Sequence, residues 1–131
     1  MEFSTHTMHH IDYHYNLLSN IFHISVKGNM SFATAEYLLN RLKKRNLLPA
    51  ACELILCDLS EASFTNTIGE YVKLIDSSNQ IAESLMKYKI AFLVDTPKET
   101  AYLMIFKSKV KDAAIKVFST KEKSQEWLKD E

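Results

Sequence analysis

LILCDLSEASFTNTIG, Leu54 to Gly69, is a dense apolar run ending in Asp58, then a polar stretch holding one aromatic residue, Phe64, then Asn66-Thr67-Ile68-Gly69 where helical spacing begins. The run reads as a β-strand, the polar stretch as a short loop, and Thr67 as the residue opening a helix. A helix start points free backbone N–H groups and the positive end of its dipole at the preceding loop, which suits an anion or a phosphorylated hydroxyl. Thr67 supplies the hydroxyl.

Leu54 to Leu59 is apolar on both faces, as in a strand covered on each side at the centre of a partly parallel sheet. Upstream, Ile11 to Gly28 holds two alternating runs around Ser19-Asn20, a hairpin signature. With those two residues as the turn, Tyr13, Tyr15, Leu17, Phe22, Ile24 and Val26 share one face, with Asp12 opposite Lys27 and Tyr15 opposite Ile24. Ser31 is an N-cap for a helix from Phe32 to about Arg45, with Phe32, Ala35, Leu38, Leu39 and Leu42 on one stripe. Arg41, Lys43, Lys44 and Arg45 form its solvated basic end, complementing the dipole. Hairpin, helix and central strand make a βαβ unit.

Downstream, the helix from Thr67 to about Lys87 carries Ile68, Val72, Ile75, Ala82 and Met86 on one stripe, with weak formers at Ser77-Ser78-Asn79 marking a kink or an early end. Lys89 to Val94 is another two-faced strand. Thr96, Pro97 and Glu99 then read as N-cap, first helical residue and capping-box acid of a helix that turns Ala101, Met104 and Ile105 inward. Ala113 to Phe118 is the last strand. Ser119 with Glu122 is a second capping box, opening a terminal helix docked by Trp127 and Leu128. The fold class is therefore α/β: a single domain with a mixed sheet in the order ββαβαβαβα, residues 1–10 a flexible N-terminal segment and 11–131 the domain.

A length of 131 residues gives a sizeable core without disulfides or metals. Sixteen basic residues balance sixteen acidic ones, so no net field draws nucleic acid or an anionic membrane. The N-terminus lacks a signal-peptide pattern and no apolar run reaches the ~20 residues of a membrane span, which points to the cytoplasm. Two glycines exclude a P-loop, a dinucleotide fingerprint and a nucleophile elbow, so no nucleotide cofactor and no enzymatic activity are expected.

The remaining chemistry-bearing residues read as structural. Cys52 and Cys57 point to opposite faces of an extended segment and do not bridge. All five histidines lie in the first 23 residues; His14 and His23 fall on the hairpin's solvent face, not directly opposed and with no acidic or thiol ligand fixed beside them, so no metal site is expected. Cys57 is buried away from both, which argues against a catalytic Cys–His pair. Asp58 and Asp95 end neighbouring strands, where loop capping and helix N-terminal charge account for them.

VKGNMSFATAE, Val26 to Glu36, and DLSEASFTNTIG, Asp58 to Gly69, in this element order, resemble STAS domains, the SpoIIAA-like anti-sigma-factor antagonists, over nearly the full chain. VFSTKEKSQEWL, Val117 to Leu128, is similar to the ending of the wider STAS/SEC14-type group of small bacterial proteins. In the antagonists an Asp-Leu-Ser segment and a Phe lead into Asp-Ser-x-Gly, whose Ser is phosphorylated by an anti-sigma-factor kinase. Asp58, Leu59, Ser60, Phe64 and Gly69 agree with that pattern. The modified position falls on Thr67, and Asn66 replaces the preceding acid.

The resemblance implies a non-enzymatic regulatory module that docks an anti-sigma factor or kinase-like regulator through Asp58, Ser60, Asn66, Thr67, Ile68 and Gly69, with a degenerate phospho-switch at Thr67. The SEC14-type likeness implies an alternative, a small apolar-ligand or lipid carrier with a pocket lined by residues such as Ile75, Phe92 and Met104. A homodimer over the hairpin edge is a third arrangement left open by the sequence.

Overall fold

The computed structural model describes residues 10–44, 48–49, 51–76, 83–110 and 112–130, the side chains of Lys43 and Ile75 excepted. One sheet of five strands runs in the order β1 (Ile11–Asn16), β2 (Ile21–Met30), β3 (Leu54–Phe64), β4 (Lys89–Leu93), β5 (Ala114–Phe118). β1 is antiparallel to β2, and the other neighbours are parallel. The helices are α1 (Phe32–Lys44), α2 (Ile68–Asp76), α3 (Pro97–Lys109) and α4 (Lys121–Lys129), giving the expected ββαβαβαβα order. Residues 77–82, which include the expected break and Ala82, lie outside the described residues, as does Arg45.

The hairpin differs from expectation in register. Tyr15 faces Phe22 and His14 faces His23, two positions away from a Ser19-Asn20 turn, because the turn takes four residues, 17–20. Asn16 explains the longer turn: its Oδ1 accepts the N–H groups of Leu18 and Ser19, and Asn20 closes it with φ +59°, a conformation asparagine tolerates. A shift of two preserves the side-chain faces. Leu17, read as core-facing, is instead exposed at the tip.

α1, α2 and α3 pack on one face of the sheet over Phe22, Ile24, Ile55, Cys57 and Ile90, while α4 covers Ile21, Leu56 and Ala91 on the other through Leu128. This two-sided cover explains why β3 and β4 are apolar on both faces. Lys89 of β4 holds α4 in place: its ammonium donates to the carbonyls of Trp127 and Asp130 and lies 4.7 Å from the centre of the Trp127 ring. α4 is capped by Thr120, whose hydroxyl accepts from Lys123 N–H, one residue beyond the expected Ser119 box.

α3 is rotated from the expected phase. It buries Glu99 and Leu103 and half-buries Tyr102 and Phe106, leaving Ala101, Met104 and Ile105 exposed. Six consecutive apolar residues from Ala101 to Phe106 carry no phase, so the anchoring of Glu99 fixes it. On the helical segment before β4, Met86 is exposed and Leu85 takes the core position.

Candidate functional site

The site grows from the middle of β3. Between Ser25 and Lys27 of β2 the partner strand advances from Asp58 to Glu61, so β3 carries one extra residue, a β-bulge. Asp58 pins it: its Oδ1 accepts the N–H of Ser60 at 2.9 Å and the Ser60 hydroxyl at 2.6 Å. The bulge also shifts which residues face the helices, from Ile55, Cys57 and Leu59 to Ala62 and Phe64. What reads as a loop after Asp58 is therefore strand to Phe64, paired with β2 through Gly28, whose φ of +83° only glycine adopts readily. An interrupted alternation and polar solvent-facing residues hide this strand in the sequence.

Phe64 ends this two-stranded arm against the first turn of α3. Its N–H donates to Glu99 Oε2 at 3.1 Å and its carbonyl accepts from Lys98 Nζ at 2.6 Å. Glu99 Oε1 accepts from the Thr96 hydroxyl. The expected capping box at Thr96 and Glu99 is thus not closed onto the Thr96 amide; the buried acid serves β3 instead. Burial raises the Glu99 pKa, but the Thr96 hydroxyl and the Phe64 N–H outweigh it and hold the carboxyl below its ordinary value. The Phe64 ring packs with Tyr71 and Tyr102, ring centres 5.4 to 5.7 Å apart.

Only residues 65–67 then separate β3 from α2, and Asn66 ties two helix starts together. Asn66 Oδ1 accepts the first N–H of α1, from Phe32, at 2.7 Å, and Nδ2 donates to Glu70 Oε1 at 3.2 Å. Its backbone N–H donates to the Tyr71 hydroxyl, which itself donates to the Met30 carbonyl. Thr67 and Glu70 form a reciprocal capping box: Glu70 N–H donates to Thr67 Oγ1 at 3.3 Å, and Thr67 N–H donates to Glu70 Oε1 at 2.9 Å. The Thr67 hydroxyl also reaches that carboxylate oxygen, at 3.2 Å. The Thr67 amide and the Asn66 and Thr67 side chains hold the Glu70 carboxyl below its ordinary value.

The fold as a whole is similar to that of solved structures. An anti-sigma factor antagonist from Mycobacterium paratuberculosis superposes with a TM-score of 0.59 at 15% identity, over 92% of this chain and 95% of its own. An uncharacterized protein of the DUF3478 family with a SpoIIAA-like fold, from Shewanella loihica PV-4, gives 0.55 at 14% identity, over 90% and 91%. The chain has the SpoIIAA-like fold. No protein-family model and no curated protein matches the sequence.

Within this SpoIIAA-like fold the sequence-derived site residues divide into two groups. Asn66, Thr67, Ile68 and Gly69 stand together at the start of α2. Asp58 and Ser60 belong to the bulge and bond each other. Gly69 lies in ordinary helix, where an added Cβ would meet nothing closer than Thr67 Oγ1 at 3.9 Å, so the backbone does not require glycine there. Sequence reading missed Glu70, although Thr67-Ile-Gly-Glu70 carries the capping-box pattern; it gave Glu99 only a capping role and missed Lys98, and both bond Phe64, 35 and 34 residues away.

Cys52 and Cys57 are buried thiols without a disulfide, and burial pushes the Cys57 thiol up to about 12, the wrong direction for a nucleophile. Cys57 faces α1–α3, whereas His23, paired with Leu56 on the opposite side of the sheet, does not. His14 and His23, read as not opposed, are direct cross-strand partners. No group of three or more metal-ligating side chains is present among the described residues, and no described helix is long and apolar enough to cross a membrane.

An apolar cavity of about 110 Å³ lies between the sheet and α1–α3. Phe92 lines it, with Leu38, Leu59, Tyr71 and Leu103. Met104, expected there, faces solvent because of the rotation of α3, and the Ile75 side chain lies outside the described residues.

Proposed function

We propose that this chain is a non-enzymatic interaction module that docks a protein partner through the start of α2, with Thr67 as the residue a kinase modifies. The observation that carries the reading is the Thr67–Glu70 pair. Thr67 is exposed, and its hydroxyl shares one carboxylate oxygen with its own amide. A phosphate on Thr67 brings about −1.5 to −2 charge into contact with Glu70. The two anions compete for the same N–H groups, so Glu70 is evicted and the surface between Asn66 and Glu70 is rebuilt. Its likeness to an anti-sigma factor antagonist supports an anti-sigma factor or kinase-like regulator as the partner class.

Asn66 fits the same reading. The acid that the antagonists hold before the modified residue is absent, and Glu70 brings a carboxylate to the same hydroxyl from three residues later. Incubation with candidate anti-sigma-factor kinases and ATP, followed by phosphosite mapping, tests the switch. Label on Thr67 that vanishes in Thr67→Ala supports it. Absence of label with every kinase that binds the chain removes the switch and leaves docking, which amide chemical-shift mapping of the bound kinase places at or away from residues 65–73.

A second reading, the small apolar-ligand carrier, is favoured by the cavity. At about 110 Å³ it is smaller than the roughly 300 Å³ at which drug-sized pockets begin, so it suits a benzene-sized apolar molecule rather than a lipid. Native mass spectrometry of freshly purified protein tests this reading: a co-purified small apolar mass supports it, and a bare chain that also shows no thermal shift with benzene removes it.

A further inference from the structure

We propose that His14 and His23 form a two-imidazole site for a late first-row divalent ion such as Cu²⁺ or Zn²⁺ on the open half of the sheet. The two residues are direct partners across β1 and β2, and their ring centres lie 5.9 Å apart with planes tilted by 50°. An ion about 2.0 to 2.1 Å from a ring nitrogen lies roughly 3.2 Å from that ring's centre, so rings sharing a tetrahedral ion stand about 5.2 Å apart and rings sharing a linear one about 6.4 Å. The observed separation falls between these limits, so the spacing of the pair suits one shared ion.

The hairpin register creates this arrangement. A two-residue turn at Ser19-Asn20 would have staggered the imidazoles; the four-residue turn held by Asn16 places them opposite each other. The strands fix both backbones, so little conformational entropy opposes chelation. α4 docks on Ile21, Leu56 and Ala91 and leaves His14 exposed, so an ion reaches the pair and keeps water in its remaining positions. Imidazole ligands suit copper, nickel and zinc, with copper bound most tightly. Besides His14 itself, Lys121 acts on His23 as a charge repulsive to a cation and Asp58 as an attractive one, so they oppose each other and affinity rests on the two nitrogens.

The test uses the full chain with His6, His9 and His10 replaced by Asn, so that the N-terminal histidines contribute no ligand. Titration with Cu²⁺, followed by calorimetry and by the nitrogen hyperfine pattern in electron paramagnetic resonance, should show one ion per chain with two imidazole nitrogens. His14→Asn and His23→Asn should each weaken binding by about tenfold or more and leave one nitrogen, with the metal-free thermal midpoint of His14→Asn unchanged. Binding that survives both substitutions, disappears on replacement of the N-terminal histidines, or requires one ion per two chains overturns the proposal.

Discussion

The N–H of Phe64, the last residue of β3, donates to the carboxylate of Glu99 in the first turn of α3 at 3.1 Å. The bond is buried, and it joins the arm that presents the candidate site to the helix beside it. Glu99→Ala leaves that N–H without a partner, which costs about 1 to 3 kcal/mol. Glu99→Gln keeps an acceptor and costs less. Urea unfolding of the two variants checks the order; equal stabilities would show that Phe64 has found another partner.

The same carboxylate gives the chain an acid-sensitive limb. Glu99 and Glu70 both titrate below their ordinary value of 4.5 in the folded chain, so the unfolded chain binds more protons as pH falls. Their contribution to stability is complete above about pH 4.5 and disappears as pH drops through the folded values. Unfolding midpoints measured from pH 7 to pH 3 should decline below pH 4.5, and less steeply in Glu99→Gln. An identical slope in that variant would assign the limb to other carboxylates.

Gly69 separates folding from docking. Its backbone is ordinary helix and its Cβ position is open, so Gly69→Ala gains helix propensity, about 0.8 to 1 kcal/mol in a helix interior and less this close to the N-terminus. The variant should melt at or above the wild-type temperature. If partners approach α2 here, the added methyl meets them, and affinity for a kinase that binds the wild type should fall while stability does not. Unchanged affinity would move the docking surface away from this turn.

The contrast between what was legible and what was not follows from range. Element order, the two-faced strands and the Ser31 cap rest on neighbouring residues, and each appears where local pattern places it. Phe64 to Glu99, Asn66 to Phe32 and Lys98 to Phe64 join residues more than thirty positions apart, and nothing local to either partner announces the other. The strand beyond Asp58 was hidden by its bulge, and the phase of α3 by an unbroken apolar run. Glu70 is different: its capping pattern with Thr67 is legible in the sequence and closes, whereas the like pattern at Thr96 does not, because its acid bonds β3 instead.

Lys89 decides whether α4 stays on the sheet. A helix of nine residues is too short to persist alone, and its apolar contacts are few: Leu128 in the core, with Trp127 against Phe118. The Lys89 ammonium adds donors to the last carbonyls of the helix and lies over the Trp127 ring. Lys89→Met keeps the aliphatic stem but removes the ammonium, and with it the donors and the cation–π contact, together worth about 1 to 2 kcal/mol in a partly buried setting. The expected result is a loss of about 1 to 2 kcal/mol in urea unfolding, with Trp127 fluorescence shifted to the red under native conditions. Trp127 is the chain's single tryptophan, so the shift reports on α4 alone. A variant with wild-type emission and stability would mean that Leu128 and the Thr120 cap suffice to hold the helix, and that the lysine only decorates its end.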